Sequence, residues 1–163
     1  MIIMSLKKKP RALSVILTIV TIATVVFIFS QSLLPGKVSS DESGRVLRLL
    51  NGILETLGLY PFLNHSLVRT AAHFSEFAFL GASIFFTVLS YGRKHIHSLI
   101  IALPSSLLVA CCDECIQLFT KDRAFQFTDI LTDFSGAFLA VFLIFVPFFV
   151  IDIIKRNRRD RNE

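Results

Sequence analysis

Charge is almost absent from four long stretches of this chain. No Asp, Glu, Lys or Arg occurs in the 25 positions between Arg11 and Lys37, the 16 between Glu76 and Arg93, the 18 between Lys94 and Asp113, or the 18 between Asp133 and Asp152. A helix that crosses the hydrocarbon core of a bilayer needs about 20 mostly apolar residues. The first, third and fourth stretches meet that need. The second does so once its first turns take in His73 and Glu76. The sequence therefore predicts an all-α, polytopic membrane protein with four transmembrane helices, at about 12–32, 68–91, 96–115 and 131–152, in a single domain over 1–163. A soluble fold is disfavoured because 163 residues leave too little polar surface to cover four such helices. With 53% hydrophobic and only 18% charged residues the chain is no disordered protein. Three cysteines do not make a disulfide scaffold.

The first stretch exceeds the ~7–15-residue apolar core of a cleaved signal peptide, and Ser30-Gln31-Ser32 is a poor cleavage site, so it reads as a retained helix. Orientation follows from the cations. Lys7, Lys8, Lys9, Arg11, Arg93, Lys94, Lys155, Arg156, Arg158, Arg159 and Arg161 fall on one side. Lys37, Arg45, Arg48, Arg69, Lys121 and Arg123 fall on the other, across longer loops. The positive-inside rule places both termini in the cytoplasm. The net charge of +5 then reads as anchoring of the basic cytoplasmic ends, including the tail 153–163, to anionic lipid. No nucleic-acid motif is present, and no internal repeat suggests a two-half transporter.

The long loop after the first span is patterned. Val46, Leu49, Leu50, Ile53, Leu54 and Leu57 follow helical spacing, with Arg45, Arg48, Asn51 and Glu55 on the other face. This predicts an amphipathic helix at about 44–57, started by Ser43 and stopped near Gly58. It either packs on the bundle or lies in the outer interface over a site. Pro104 and Pro147 fall inside the third and fourth spans and are expected to kink them. Asn64-His65-Ser66 is a glycosylation sequon, equally explained by Asn64 or Ser66 capping the second span.

Ionisable residues within spans mark functional sites by default. Here they share one depth. Arg69, His73 and Glu76 lie at i, i+4 and i+7 where the second span enters from outside. Asp113, Glu114 and Gln117 stand where the third reaches the outside, Asp129 and Asp133 where the fourth enters, and Arg123 in the connection between them. Ser30, Gln31 and Ser32 end the first span. Each has a plainer role available: Asp129 and Asp133 complement a helix dipole, Arg69 and Arg123 anchor at headgroup level, and His73 is a structural histidine. Yet five carboxylates against two arginines leave −3. Such crowding is relieved by protonated carboxylates, by an imidazolium at His73, or by a bound cation, for which Asp113, Glu114 and Asp133 are the expected ligands. Cys111, Cys112 and Cys115 lack the spacing of a zinc site and read as small packing residues. His65, His95 and His97 have no partners at site spacing.

These residues resemble the VanZ-like family of bacterial membrane proteins. Phe29-Ser30-Gln31-Ser32, with Ser40 and Ser43-Gly44, looks like the family's Ser-rich exit from its first helix. The run from Arg69 through His73-Phe74, Glu76-Phe77 and Leu80-Gly81 is similar to its Arg-Lys-x-x-His-Phe-x-Glu-Tyr-x-x-Leu-Gly motif. Asp113-Glu114, Gln117, Phe119, Arg123, Asp129, Asp133 and Gly136 match its most specific signature in order. The likeness covers about residues 13 to 150. Thr70, Phe77 and Lys121-Asp122 stand where the family often has Lys, Tyr and Pro-Gly. The resemblance implies a link to teicoplanin resistance, known for founding members. It also implies chemistry at a lipid phosphate, because the family has been grouped with lipid headgroup enzymes that include phosphatidylserine synthases.

Residues and resemblance agree on an outward-facing site in a bacterial plasma membrane. The leading expectation is an enzyme that cleaves or exchanges a phosphate-linked headgroup on an outer-leaflet lipid or lipid-linked envelope precursor. His73, oriented by Glu76, would act as base or nucleophile, with Asp113 and Glu114 completing the catalytic group. Arg69, Gln117, Arg123, Asp129 and Asp133 would bind substrate, and a divalent cation would be the cofactor if one is used. The alternatives are binding or sensing of a lipid or antibiotic without turnover, and transport of a small solute or ion.

Overall fold

The computed structural model describes residues 11–161, so Lys7, Lys8 and Lys9 of the orientation argument lie outside the described residues. Five helices follow one another: α1 (Arg11–Ser32), α2 (Gly36–Thr56), α3 (His65–Ser90), α4 (His95–Gln117) and α5 (Phe127–Asp160). No strand occurs among the described residues. α1, α3, α4 and α5 are long and apolar enough to cross a membrane. The protein is an all-α, multi-pass membrane protein.

The helices outrun the expected spans for local reasons. α3 starts at His65 because Asn64 caps it, its side-chain oxygen accepting from the Leu67 N–H at 2.9 Å. At its far end Gly92, at φ +80°, turns the chain into α4. α4 and α5 are continuous across Pro104 and Pro147. At 34 residues α5 is ~51 Å long, beyond the ~30 Å of hydrocarbon, so the expected basic tail is its helical continuation as far as Asp160. α2 begins at Gly36, well before the expected 44. Ser43 is not its cap, because the hydroxyl donates back to the Ser39 carbonyl inside the helix. The start is instead set by Pro35-Gly36. The Gly36 N–H donates to the Lys121 carbonyl at 3.0 Å, and a Cβ at position 36 would lie 2.1 Å from the Asp122 carbonyl oxygen. α2 ends with Gly58 at φ +73°.

α3 is the axis of the bundle, packing on each of the other four helices. Its closest partner is α5. Two glycines permit this approach: a Cβ on Gly136 would meet the Phe74 carbonyl oxygen at 2.2 Å, and one on Gly81 would meet Ala137 at 3.0 Å. Small residues at helix crossings are the usual means of packing in lipid, where apolar side chains gain nothing by leaving one oily phase for another. Phe77, Leu80, Phe85, Ala102, Ala110, Ala137 and Val141 fill the interior. α1 is tied to α3 by hydroxyls, Ser14 to the Ser90 carbonyl at 3.1 Å and Thr21 to Thr87 at 2.9 Å. Its outer face, with Leu13, Ile16, Ile19 and Ile22, is exposed, as is that of α5 with Phe138 and Phe142. A surface so apolar belongs in lipid.

Candidate functional site

The polar side chains of the spans meet at one end of the bundle, where α1 and α4 finish and α3 and α5 begin. α3 and α5 run the same way, and their side chains pair in register. Arg69 Nη2 lies 3.1 Å from Asp129 Oδ2, and His73 Nδ1 lies 3.3 Å from Asp133 Oδ1. Each pair is one helical turn from the next, as parallel helices crossing at Gly136 require. The first pair is a hydrogen-bonded ion pair, more than a third of the Arg69 side chain being exposed. The second is close but misaligned. Neither His73 Nδ1 nor either oxygen of the fully buried Asp133 has a hydrogen-bond partner.

α4 contributes a different construction. Asp113 is buried and held at both oxygens: Ser32 at the end of α1 donates to Oδ1, and Gln117 Nε2 donates to Oδ2 at 3.1 Å. Gln117 Oε1 accepts from Arg123 Nη1 at 3.2 Å, and Arg123 Nη2 donates to the Gln31 carbonyl at 3.3 Å. The chain Ser32–Asp113–Gln117–Arg123–Gln31 thus returns to α1 where it began. Thr120 reinforces it by donating to the Ser32 carbonyl at 2.9 Å. Asp122, at φ +60°, makes the left-handed turn that presents Arg123. Asp enters that region more readily than most side chains, so no glycine is needed at this turn.

Arg123 is the site's uncommitted cation. Its partners are neutral oxygens, its Nε has none, and no carboxylate among the described residues lies within ion-pair distance. Burial first, then repulsion from Arg69, lowers its pKa from the usual arginine value. Starting so high, it remains a cation at any physiological pH.

A cavity of about 500 Å³ opens beside these groups, bounded by α1, α2, α3, the end of α4 and the connection that carries Arg123. Its polar floor is Ser32, His73, Glu76, Asp113 and Arg123, with Arg69 at the side. Its walls are apolar: Ile28 on α1, Val46 and Leu50 on α2, and Leu63, Leu67 and Val68 around the start of α3. α2 roofs it, turning Ser39, Glu42, Ser43, Val46 and Leu50 inward at helical spacing. A smaller cavity of about 100 Å³ lies on the α5 side of His73, lined also by Arg69, Gln126 and Asp129.

Of the nine residues expected at the site, Arg69, His73, Glu76, Asp113 and Arg123 line the main cavity. Gln117 and Asp133 lie behind them, fully buried, and Asp129 is engaged with Arg69. Glu114 faces elsewhere. Its Oε2 accepts from the Gln126 N–H at 2.8 Å, fastening the start of α5 to α4. The ligand-bearing residues whose donor atoms gather within 4.8 Å of one another are His73, Asp113 and Asp133, whereas the sequence pointed to Glu114 in place of His73. The acid nearest the His73 nitrogen is likewise Asp133, across to α5, whereas the sequence pointed to Glu76 on the same helix.

Sequence reasoning missed Ser39 and Glu42 in the roof; their signal was the stripe they make with Val46 and Leu50. It also left His95 unpartnered. At the opposite end of the bundle, His95 Nε2 lies 3.5 Å from Asp152 Oδ2 and the ring stacks on Phe148. Cys112 and Cys115 are exposed and only Cys111 is half-buried, so just one of the three acts as a packing residue; all are free thiols.

No curated protein and no solved structure matches the chain. The VanZ/LLP1 family model matches residues 14–151, from the first turn of α1 to the apolar end of α5, and so takes in every side chain of the site. The chain belongs to the VanZ/LLP1 family.

Proposed function

We propose that the protein is a bacterial plasma-membrane enzyme that cleaves or exchanges a phosphate-linked headgroup on an outer-leaflet lipid or lipid-linked envelope precursor. The observation that carries this reading is the two-sided character of the main cavity. A floor with an uncommitted arginine and two carboxylates meets walls of Ile28, Val46, Leu50 and Leu67. A molecule with an anionic head and a hydrocarbon tail satisfies both; a small ion or a sugar satisfies only the floor.

In this reading Arg123, steered by Gln117 and Gln31, offers its guanidinium to phosphate oxygens, and Arg69, paired with Asp129, borders the headgroup with its remaining N–H donors. The acyl chain lies under α2 against Val46 and Leu50. The headgroup bond lies over His73 and Asp113, where an incoming water or alcohol oxygen is activated for attack on phosphorus. One P–O bond forms as the nucleophile's proton passes to His73, the bond to the leaving headgroup breaks as that proton is returned to its oxygen, and the Arg123 guanidinium stabilises the charge on the phosphoryl oxygens. The termini are cytoplasmic and the site faces outward, on the distribution of Lys and Arg. Remodelling an envelope lipid or precursor is the route by which this activity would alter the response to a glycopeptide such as teicoplanin.

The test is comparative lipid and envelope-precursor profiling of wild type, a deletion, and strains carrying His73→Ala or Arg123→Ala. A species that accumulates in the deletion and in both variants, and is converted by purified wild-type protein in nanodiscs, is the expected result. Profiles of both variants that match wild type, while the deletion differs, would overturn the reading. Tight lipid binding with no product formed would support a sensor instead.

A further inference from the structure

Asp133 poses a question that headgroup binding does not answer. It sits in the polar end of the bundle, fully buried, and neither of its oxygens has a hydrogen-bond donor. The nearest polar group, His73 Nδ1 at 3.3 Å, is itself unpartnered and not aligned to donate. Asp133 Oδ1 has at least the imidazole beside it, whereas Asp133 Oδ2 has no polar partner at all. Buried polar atoms left in this way call for an explanation.

A third group faces the same point. One ligand atom each from His73, Asp113 and Asp133 falls within 4.8 Å of the others. Donors around a tetrahedral ion with bonds of about 2.1 Å are separated by about 3.4 Å, so binding would draw the three groups together. The three come from α3, α4 and α5, so the packing of the bundle assembles the group. Asp113 is pre-positioned by Ser32 and Gln117, each using one lone pair of a carboxylate oxygen that has two. Such second contacts commonly orient metal ligands. Two carboxylates and a neutral imidazole also balance a divalent charge in a setting of low dielectric.

We propose that His73, Asp113 and Asp133 form a mononuclear site for a divalent transition ion, with zinc the best fit. One nitrogen and two oxygens suit zinc, manganese or ferrous iron, whereas magnesium and calcium favour oxygen alone. Three protein ligands leave a fourth position open, the pattern of catalytic rather than structural zinc. His73 and Asp113 line the main cavity, so that position faces the space where Arg123 also points. The inference shares its location with the proposed function; its test does not depend on turnover.

Full-length protein is purified in detergent with Cys111, Cys112 and Cys115 replaced by serine, so that thiols bind no metal. It is stripped with chelator, reloaded with zinc or cobalt(II), and desalted. One ion per chain by elemental analysis is expected, with visible cobalt bands of a low-coordinate nitrogen–oxygen site. Asp133→Asn and His73→Asn should each lower affinity at least tenfold and abolish the bands, whereas Glu114→Gln should keep both. Absence of a retained ion, or equal retention by Asp133→Asn and His73→Asn, overturns the site. Should Asp133→Asn not purify as a monodisperse protein, His73→Asn, at a cavity-lining position, decides alone. Bound metal without lipid turnover would sink the proposed function and leave the site standing. Lipid turnover by protein that retains no ion after reloading would sink the site and leave the proposed function standing.

Discussion

Arg69 and Arg123 are 54 positions apart in the sequence and equally conspicuous there, yet the structure gives them unequal parts. Arg69 is neutralised by Asp129 in a pair open to its surroundings, so Asp129→Asn is expected to cost no more than about 1 kcal/mol in stability, read by thermal unfolding in detergent. Arg123 is bound to neutral oxygens and keeps its charge uncommitted. Arg123→Ala should weaken binding of a phosphate-bearing lipid by about 1.5–3 kcal/mol, the loss of charge-assisted hydrogen bonds, or roughly 10- to 100-fold. Arg123→Lys should recover only part of it, because an ammonium cannot reach Gln117, Gln31 and a phosphate with one planar fork. Titration with a spin-labelled phospholipid measures both. This distinction was not legible in the sequence. Spacing along α3 showed that Arg69, His73 and Glu76 share a face, but only the register between α3 and α5 assigns Asp129 to Arg69 and Asp133 to His73.

Among the elements, α3 and α5 must stay close for the site to exist. Gly136 leaves no room for a side chain, since its added Cβ would press on the Phe74 backbone oxygen one residue from His73. Gly136→Ala is expected to destabilise the bundle by about 1–3 kcal/mol, as overpacking does, and to spread His73 from Asp133. Gly81→Ala, whose nearest contact is 3.0 Å, should do less. Thermal midpoints of the two variants in one detergent give the ranking. The helices themselves were legible because charge-free runs report them directly. The start of α2 was not. A cap was sought at Ser43, whereas Gly36 begins the helix by seating against residues 121 and 122, a contact between distant parts of the chain that no local pattern records.

For the whole molecule the prediction concerns its direction in the membrane. With the native cysteines replaced by serine, Ser40→Cys should react with a membrane-impermeant maleimide in intact cells, and Asn157→Cys only after lysis. The opposite result would turn the site toward the cytoplasm. That the site gathers at one end was readable from the scarcity of charge elsewhere, because each remaining charge then marks a depth. Which groups face the cavity and which stand behind it was not readable, because Glu114 and Asp113 are neighbours in the chain and part ways only once α4 has packed. The manner in which α2 is fastened carries one more consequence. Its first residue is held by Lys121, the end of α1 just before it is held by Thr120 and Arg123, and all of these belong to one short connection. At the other end the tie is lighter, Asn51 Nδ2 donating to the Leu63 carbonyl at 3.3 Å. The roof is therefore tied more firmly beside the cation than near Leu63. If the proposed lipid substrate enters from the side, the weaker fastening near Leu63 is the edge expected to yield, with Arg123 left in place.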